Sequence, residues 1–154
     1  MLFYNGIKVC IAACLISAAQ ADSRDIIHKT LDNGLNIVIK EDHRYPVAYV
    51  TFSYHVGSIH DPPYQSGVSH FLERLMFGRT NNLSHSNIED YYNQHSGHYN
   101  AMTTYEYTQY STSVSPDEIS SVLQFEKDRL TDLQFVDADI EKERKVILRE
   151  KNQY

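Results

Sequence analysis

His70 and Glu73 stand three positions apart in the run Gly67-Val68-Ser69-His70-Phe71-Leu72-Glu73-Arg74-Leu75-Met76-Phe77. In the pattern H-x-x-E-H, two imidazoles four residues apart share one face of a helix and hold a metal ion. The carboxylate between them then acts as a base toward metal-bound water. The first His and the Glu are in place, but the second His position is Arg74. A neutral imidazole offers the metal a lone pair; a guanidinium is always protonated and has none to offer. Whether the chain is an enzyme turns largely on that residue.

A second set of carboxylates lies far along the chain. In Glu143-Arg144-Lys145-Val146-Ile147-Leu148-Arg149-Glu150, two glutamates seven apart fall on one face of a helix, two turns from each other. The same segment reads equally as a solvated helix, its glutamates interleaved with Lys142, Arg144, Lys145 and Arg149 in the spacing of i, i+4 ion pairs. A His and a Glu three apart are by themselves more often a surface pair than a metal site, so neither cluster decides the chemistry alone.

The elements that must position these residues are legible in order. Ile26–Leu31 and the β-branched run Leu35–Lys40 are strands around Asp32-Asn33-Gly34, whose Asn-Gly pair supplies the positive-φ positions of a hairpin. Val47–Val56 is a third strand, and Gly57–Gln65 with its paired prolines is a loop. Gly67–Phe77 is a helix whose apolar face is Val68, Phe71, Leu72, Leu75 and Met76. Ser86–Gln94 is a second helix, with Ser86 as its cap and Glu89 three residues on. His98–Val114 makes a hairpin. Ser115-Pro116-Asp117-Glu118 opens a helix to about Asp132, and Asp137 begins a charged helix that continues to the end. The fold class is therefore α+β: an antiparallel-rich sheet with helices packed on one face.

The first twenty-one residues read as a secretory signal peptide. Lys8 is the positive n-region, Val9–Ala19 the apolar run, and Ala19-Gln20-Ala21 the small-x-small cleavage pattern. The run is shorter than the roughly twenty residues of a membrane span. Cys10 and Cys14 both lie inside this segment, so the mature chain, residues 22–154, has no cysteine and no disulfide. The expected location is periplasmic or secreted. A net charge of −6 leaves no basic stripe for phosphates, which argues against nucleic acid as a partner. The twelve tyrosines have no role that composition reveals.

The series Gly57-Ser58, Asp61-Pro62, Gly67, His70-Phe71-Leu72-Glu73, Met76-Phe77 and Thr80 resembles the metal-site region of the pitrilysin/insulinase family of zinc peptidases, which includes the mitochondrial processing peptidases. Thr30–Leu35 is similar to that family's opening strand and turn. Gly97, Asn100-Ala101, Thr103, Thr108 and Tyr110 are similar to its substrate-binding edge strand. The resemblance implies Zn²⁺ as cofactor, His70 and Glu150 as ligands, Glu73 as general base, and Glu143 as a supporting carboxylate. It also implies that Asn100 and Ala101 hold extended peptide as an added strand.

Two departures qualify those implications. Arg74 leaves two of the usual three protein ligands, and its fixed charge is expected to pair with Glu73 or Glu150, where a metal would otherwise bind. Nothing in the spacing of His60, His85, His95 or His98 marks a replacement ligand. The chain also matches only the first part of one half of the family's two-half chains, an incomplete half-domain with an exposed sheet edge. Three readings follow. The first is a non-catalytic subunit that binds peptide or a homologous peptidase subunit. The others are an active exported zinc endopeptidase and a truncated product without function.

Overall fold

Alternating burial along one strand shows how the sheet is arranged. In the computed structural model, which describes residues 26–80, Tyr91 and 97–151, every second residue from Thr108 to Val114 is buried. This strand is the centre of a three-stranded antiparallel sheet. Numbered in chain order, the strands are β1 (Ile26–Thr30), β2 (Asn36–Lys40), β3 (Ala48–Tyr54), β4 (His98–Thr103) and β5 (Thr108–Val114). The helices are α1 (Val68–Leu75), α2 (Ile119–Thr131) and α3 (Asp137–Lys151). The signal peptide expected over 1–21 lies outside the described residues, as does the helix expected over 86–94 apart from Tyr91.

The chain divides into two compact units, one up to Tyr45 and one from Pro46. In the first, β1 and β2 form a hairpin in which Ile26 faces Lys40 and Thr30 faces Asn36. Only Gly34 takes a positive φ, +86°. The connection is therefore a turn closed by Gly34 N–H donating to Leu31 O at 2.9 Å, not a two-residue turn with both Asn33 and Gly34 left-handed. Asn33 instead uses its side chain, accepting from Leu35 N–H at 3.1 Å.

In the second unit the strand order is β3-β5-β4, so β4 is an edge strand. Register places Ala48, Val50, Phe52 and Tyr54 of β3 and Tyr99, Ala101 and Thr103 of β4 beside the buried positions of β5. That face carries the core: Val114, Val122 and Phe125, with Ala48, Val50, Tyr91 and Tyr99 packed against them. The opposite face, with Tyr49, His98, Asn100 and Met102, is open. The helices thus cover one face of the sheet, as the alternating pattern requires.

The core contains an ion pair. Glu126 and Arg129 of α2 are each 2% exposed and meet at 3.4 Å. The Arg129 guanidinium lies over Phe77, Tyr110 and Phe125, 4.9, 4.6 and 4.6 Å from their ring centres. Three rings thus replace much of the water the cation loses. The compensation is partial, because Arg129 Nε and Nη1, Glu126 Oε2 and the Tyr54 hydroxyl are buried without hydrogen-bond partners among the described residues. Desolvation raises the Glu126 pKa against the opposing pull of Arg129, and likewise raises those of Tyr54 and Tyr110.

A raised folded pKa means that the folded state binds the Glu126 proton more tightly than the unfolded state. Stability then falls as pH rises from the unfolded carboxyl value through the folded one. Glu126→Gln should remove that decline, so unfolding free energies from urea titrations should diverge in favour of the variant as pH rises. Parallel curves for the two proteins would contradict the assignment.

Candidate functional site

Helix α1 is anchored by polar contacts on the side that faces the protein. Its two buried residues are Ser69 and Glu73, whereas Val68 and Leu72 are 41% and 43% exposed. The apolar stripe read from the sequence is therefore not the anchoring face. Asp61, six residues upstream of Gly67, caps the helix from the preceding loop. Its carboxylate accepts from Gly67 N–H at 2.6 Å, Ser69 N–H at 2.9 Å and the Ser69 hydroxyl at 2.6 Å. These bonds, that of the Ser69 hydroxyl foremost, hold the Asp61 carboxyl below the usual carboxylate range. Sequence reasoning missed this role because a cap is ordinarily sought immediately before the helix. Gly57 fixes the same loop against the β4–β5 turn: a Cβ there would lie 2.6 Å from Thr104 O and 2.7 Å from Tyr105 O.

Glu73 projects to the sheet. Its Oε2 accepts from the Thr103 hydroxyl at 2.5 Å, which ties α1 to the last residue of the edge strand. Arg74 projects to α3. Its Nε donates to Glu143 Oε2 at 2.8 Å and its Nη1 to Glu150 Oε1 at 3.3 Å. The two glutamates seven apart do share a face, and one guanidinium spans both. Of the two partners expected for Arg74, Glu150 is found and Glu73 is not; Glu143 takes the stronger bond. Glu143 is the more enclosed carboxylate, its side chain 14% exposed against 43% for Glu150, so the Glu143 pair is the less screened by water.

His70 is half-buried on α1 and makes no hydrogen bond or ion pair among the described residues. His60 Nδ1 accepts from Gly57 N–H at 3.2 Å within its own turn, and His98 is exposed on β4. His85 and His95 lie outside the described residues. Asn100 is exposed and Ala101 half-buried on edge strand β4, where one side of the backbone faces no strand among the described residues.

An antiparallel sheet covered on one face, an H-x-x-E helix on that face and a distant helix bearing paired glutamates define an inverted-motif metallopeptidase scaffold. Residues 36–154 match the sequence profile of the insulinase family, peptidase family M16, and the chain belongs to that family. It is 33% identical over 120 residues to subunit 1 of the mitochondrial cytochrome b-c1 complex of Rattus norvegicus, covering 78% of this chain and 25% of that one. It is 29% identical over 125 residues to an uncharacterised zinc protease of Bacillus subtilis, covering 81% and 31%. A crystal structure of a protease from Helicobacter pylori superimposes with a TM-score of 0.80 at 27% identity, over 84% of this chain and 31% of that one. The chain thus spans about a third or less of the relatives it matches. Among the described residues no helix is long and apolar enough to cross a membrane.

Zinc is the metal such a scaffold implies, and the residues present do not fit it. A catalytic zinc takes three protein ligands. Here the third place is a guanidinium, which already engages Glu143 and Glu150. Among the described residues no three His, Cys, Asp or Glu side chains cluster closely enough to hold an ion. A metal-binding imidazole is normally oriented by a hydrogen bond from its other nitrogen, and His70 has none there.

Asp61→Ala should lower the unfolding free energy at neutral pH by about 1–2 kcal/mol, the usual cost of a lost cap. Because the folded Asp61 pKa is depressed, its contribution is full above the unfolded carboxyl pKa and disappears as pH falls through the folded one. The wild type and the variant should therefore converge in acid. Equal stability in urea titrations at neutral pH would refute the capping role.

Proposed function

We propose that this chain is a non-catalytic member of its family, a peptidase scaffold that binds an extended polypeptide at edge strand β4 and does not cleave it. The observation that carries this reading is Arg74, bound to Glu143 at 2.8 Å and to Glu150 at 3.3 Å. A fixed cation supplies the positive charge that draws the two helices together, and it has no coordination site at which water could be activated. Glu73, the base in the family's active members, is held by Thr103 in this chain and faces no activated water.

The binding half of the reading rests on the sheet. An edge strand presents backbone N–H and C=O groups to which an extended segment adds by main-chain hydrogen bonds. Asn100 and Ala101 lie in the middle of β4, flanked by the uncharged side chains of Tyr99 and Met102. The segment captured is either a free peptide or a stretch of a homologous peptidase chain. Membership of a multi-subunit complex by one relative favours the second source. The location proposed is outside the cytoplasm, after removal of residues 1–21.

Incubation of the full chain with zinc and a labelled, unstructured peptide tests both halves. Fluorescence anisotropy should show binding that falls at least tenfold when alternate peptide nitrogens are methylated, since each methyl removes a donor and blocks strand addition. Mass spectrometry should recover the peptide intact. Chelator-sensitive cleavage would overturn the non-catalytic reading, and binding indifferent to N-methylation would overturn strand addition.

A further inference from the structure

The link between α1 and β4 is a chain of side-chain hydroxyls whose hydrogens can be counted. The Thr108 hydroxyl, at the start of β5, donates its one hydrogen to Val56 O at 2.8 Å. The Thr103 hydroxyl lies 3.3 Å from that of Thr108 and 2.5 Å from Glu73 Oε2. Each hydroxyl has a single hydrogen. With the Thr108 hydrogen committed to Val56, Thr103 is left to donate to the carboxylate, and a bond of this length is typical of a hydroxyl on an ionised acceptor. The buried Glu73 thus receives one well-defined donor from the edge strand, and the edge strand receives one fixed acceptor from the helix.

The two partners sit where movement would otherwise be easiest. Thr103 is the last residue of β4, and the turn 104–107 follows it. Among the described residues the strand pairs on one side only, with β5. Its outward residues Asn100 and Met102 are exposed, so little packing holds that face. The Thr103–Glu73 hydrogen bond joins β4 to α1 through side chains. Helix α1 is in turn fixed at its start by Asp61 and, through Arg74, to α3.

We propose that Thr103 is a positioning residue for polypeptide capture. By donating to Glu73 it locks the C-terminal end of β4 against α1, so that the strand edge is already straight when an extended segment adds to it. Glu73, freed from base chemistry in this chain, serves as the acceptor of that lock. The inference rests on the strand-addition reading above, and it assigns a function to a threonine that no ligand-spacing argument selects.

The test compares Thr103→Val, Thr103→Ser, Glu73→Ala and the Thr103→Val/Glu73→Ala double variant in the full chain. Two readouts are used: anisotropy with the same labelled peptide, and amide hydrogen exchange at Asn100–Thr103. Loss of a hydrogen bond to a charged acceptor should weaken peptide binding about tenfold or more and speed exchange in β4 by a similar factor. Thr103→Ser, which keeps the hydroxyl, should restore both. The double variant should be no worse than the poorer single variant, because both changes break one bond. Unchanged β4 exchange in Thr103→Val, or strictly additive losses, would overturn the proposal. If the wild-type chain binds no peptide, the strand-addition reading fails, and the exchange comparison still decides whether Thr103 locks the strand. A global loss of structure in Thr103→Val would show as fast exchange in β5 as well. Glu73→Gln, which offers Thr103 only a weaker neutral acceptor, should then speed exchange in β4 and not in β5, and unchanged β4 exchange in it would overturn the proposal.

Discussion

A guanidinium held between two carboxylates fixes where the site helix meets the last helix of the chain. Arg74 donates through different nitrogens to Glu143 and Glu150, and the planar fork allows one side chain to span two turns of α3. Removing either glutamate would leave the other to balance the cation; removing the arginine would leave the largely enclosed Glu143 without its partner. The other anchors of α1 follow from this placement. Asp61 holds its first turn, Thr103 holds Glu73 on the sheet side, and Arg74 reaches the opposite way. A helix of eight residues, too short to be stable alone, is thereby fixed on three sides by polar bonds.

Much of this was legible in the sequence. Strand alternation, the turn at Gly34 and the Ser-Pro-Asp-Glu opening each have a local cause, and the elements among the described residues formed within a few residues of their expected bounds. The helix expected over 86–94 lies outside those residues apart from Tyr91. The α+β class and the covering of one sheet face followed from the same periodicity. Membership of the insulinase family was carried by several short segments in fixed order, and the match over residues 36–154 bears it out. Arg74 was expected to pair with Glu73 or Glu150, the latter placed at the site by the family resemblance; Glu150 is one partner found, Glu143 is the other, and Glu73 is not.

The parts that were not legible depend on direction rather than on pattern. The apolar spacing of α1 suggested that Val68 and Leu72 face the core, yet Ser69 and Glu73 are the buried positions because their hydrogen bonds set the helix rotation. Glu126 and Arg129, three apart on α2, carry no sequence signal of burial, yet both are 2% exposed. Only the closure of Phe77, Tyr110 and Phe125 around the guanidinium makes their burial intelligible. Tyrosines without an evident role in composition became explicable in the same way: Tyr54, Tyr99 and Tyr110 line the covered face of the sheet, where Tyr54 meets Tyr110 edge to face at 5.8 Å.

In the non-catalytic reading proposed above, Arg74 stands in the place of a metal. Zinc content by elemental mass spectrometry tests this most directly, after the full chain is equilibrated with excess zinc and dialysed. The wild type should retain no zinc and Arg74→His about one ion per chain, since there a third ligand is restored and both glutamates are released. Stoichiometric zinc in the wild-type chain would contradict that reading.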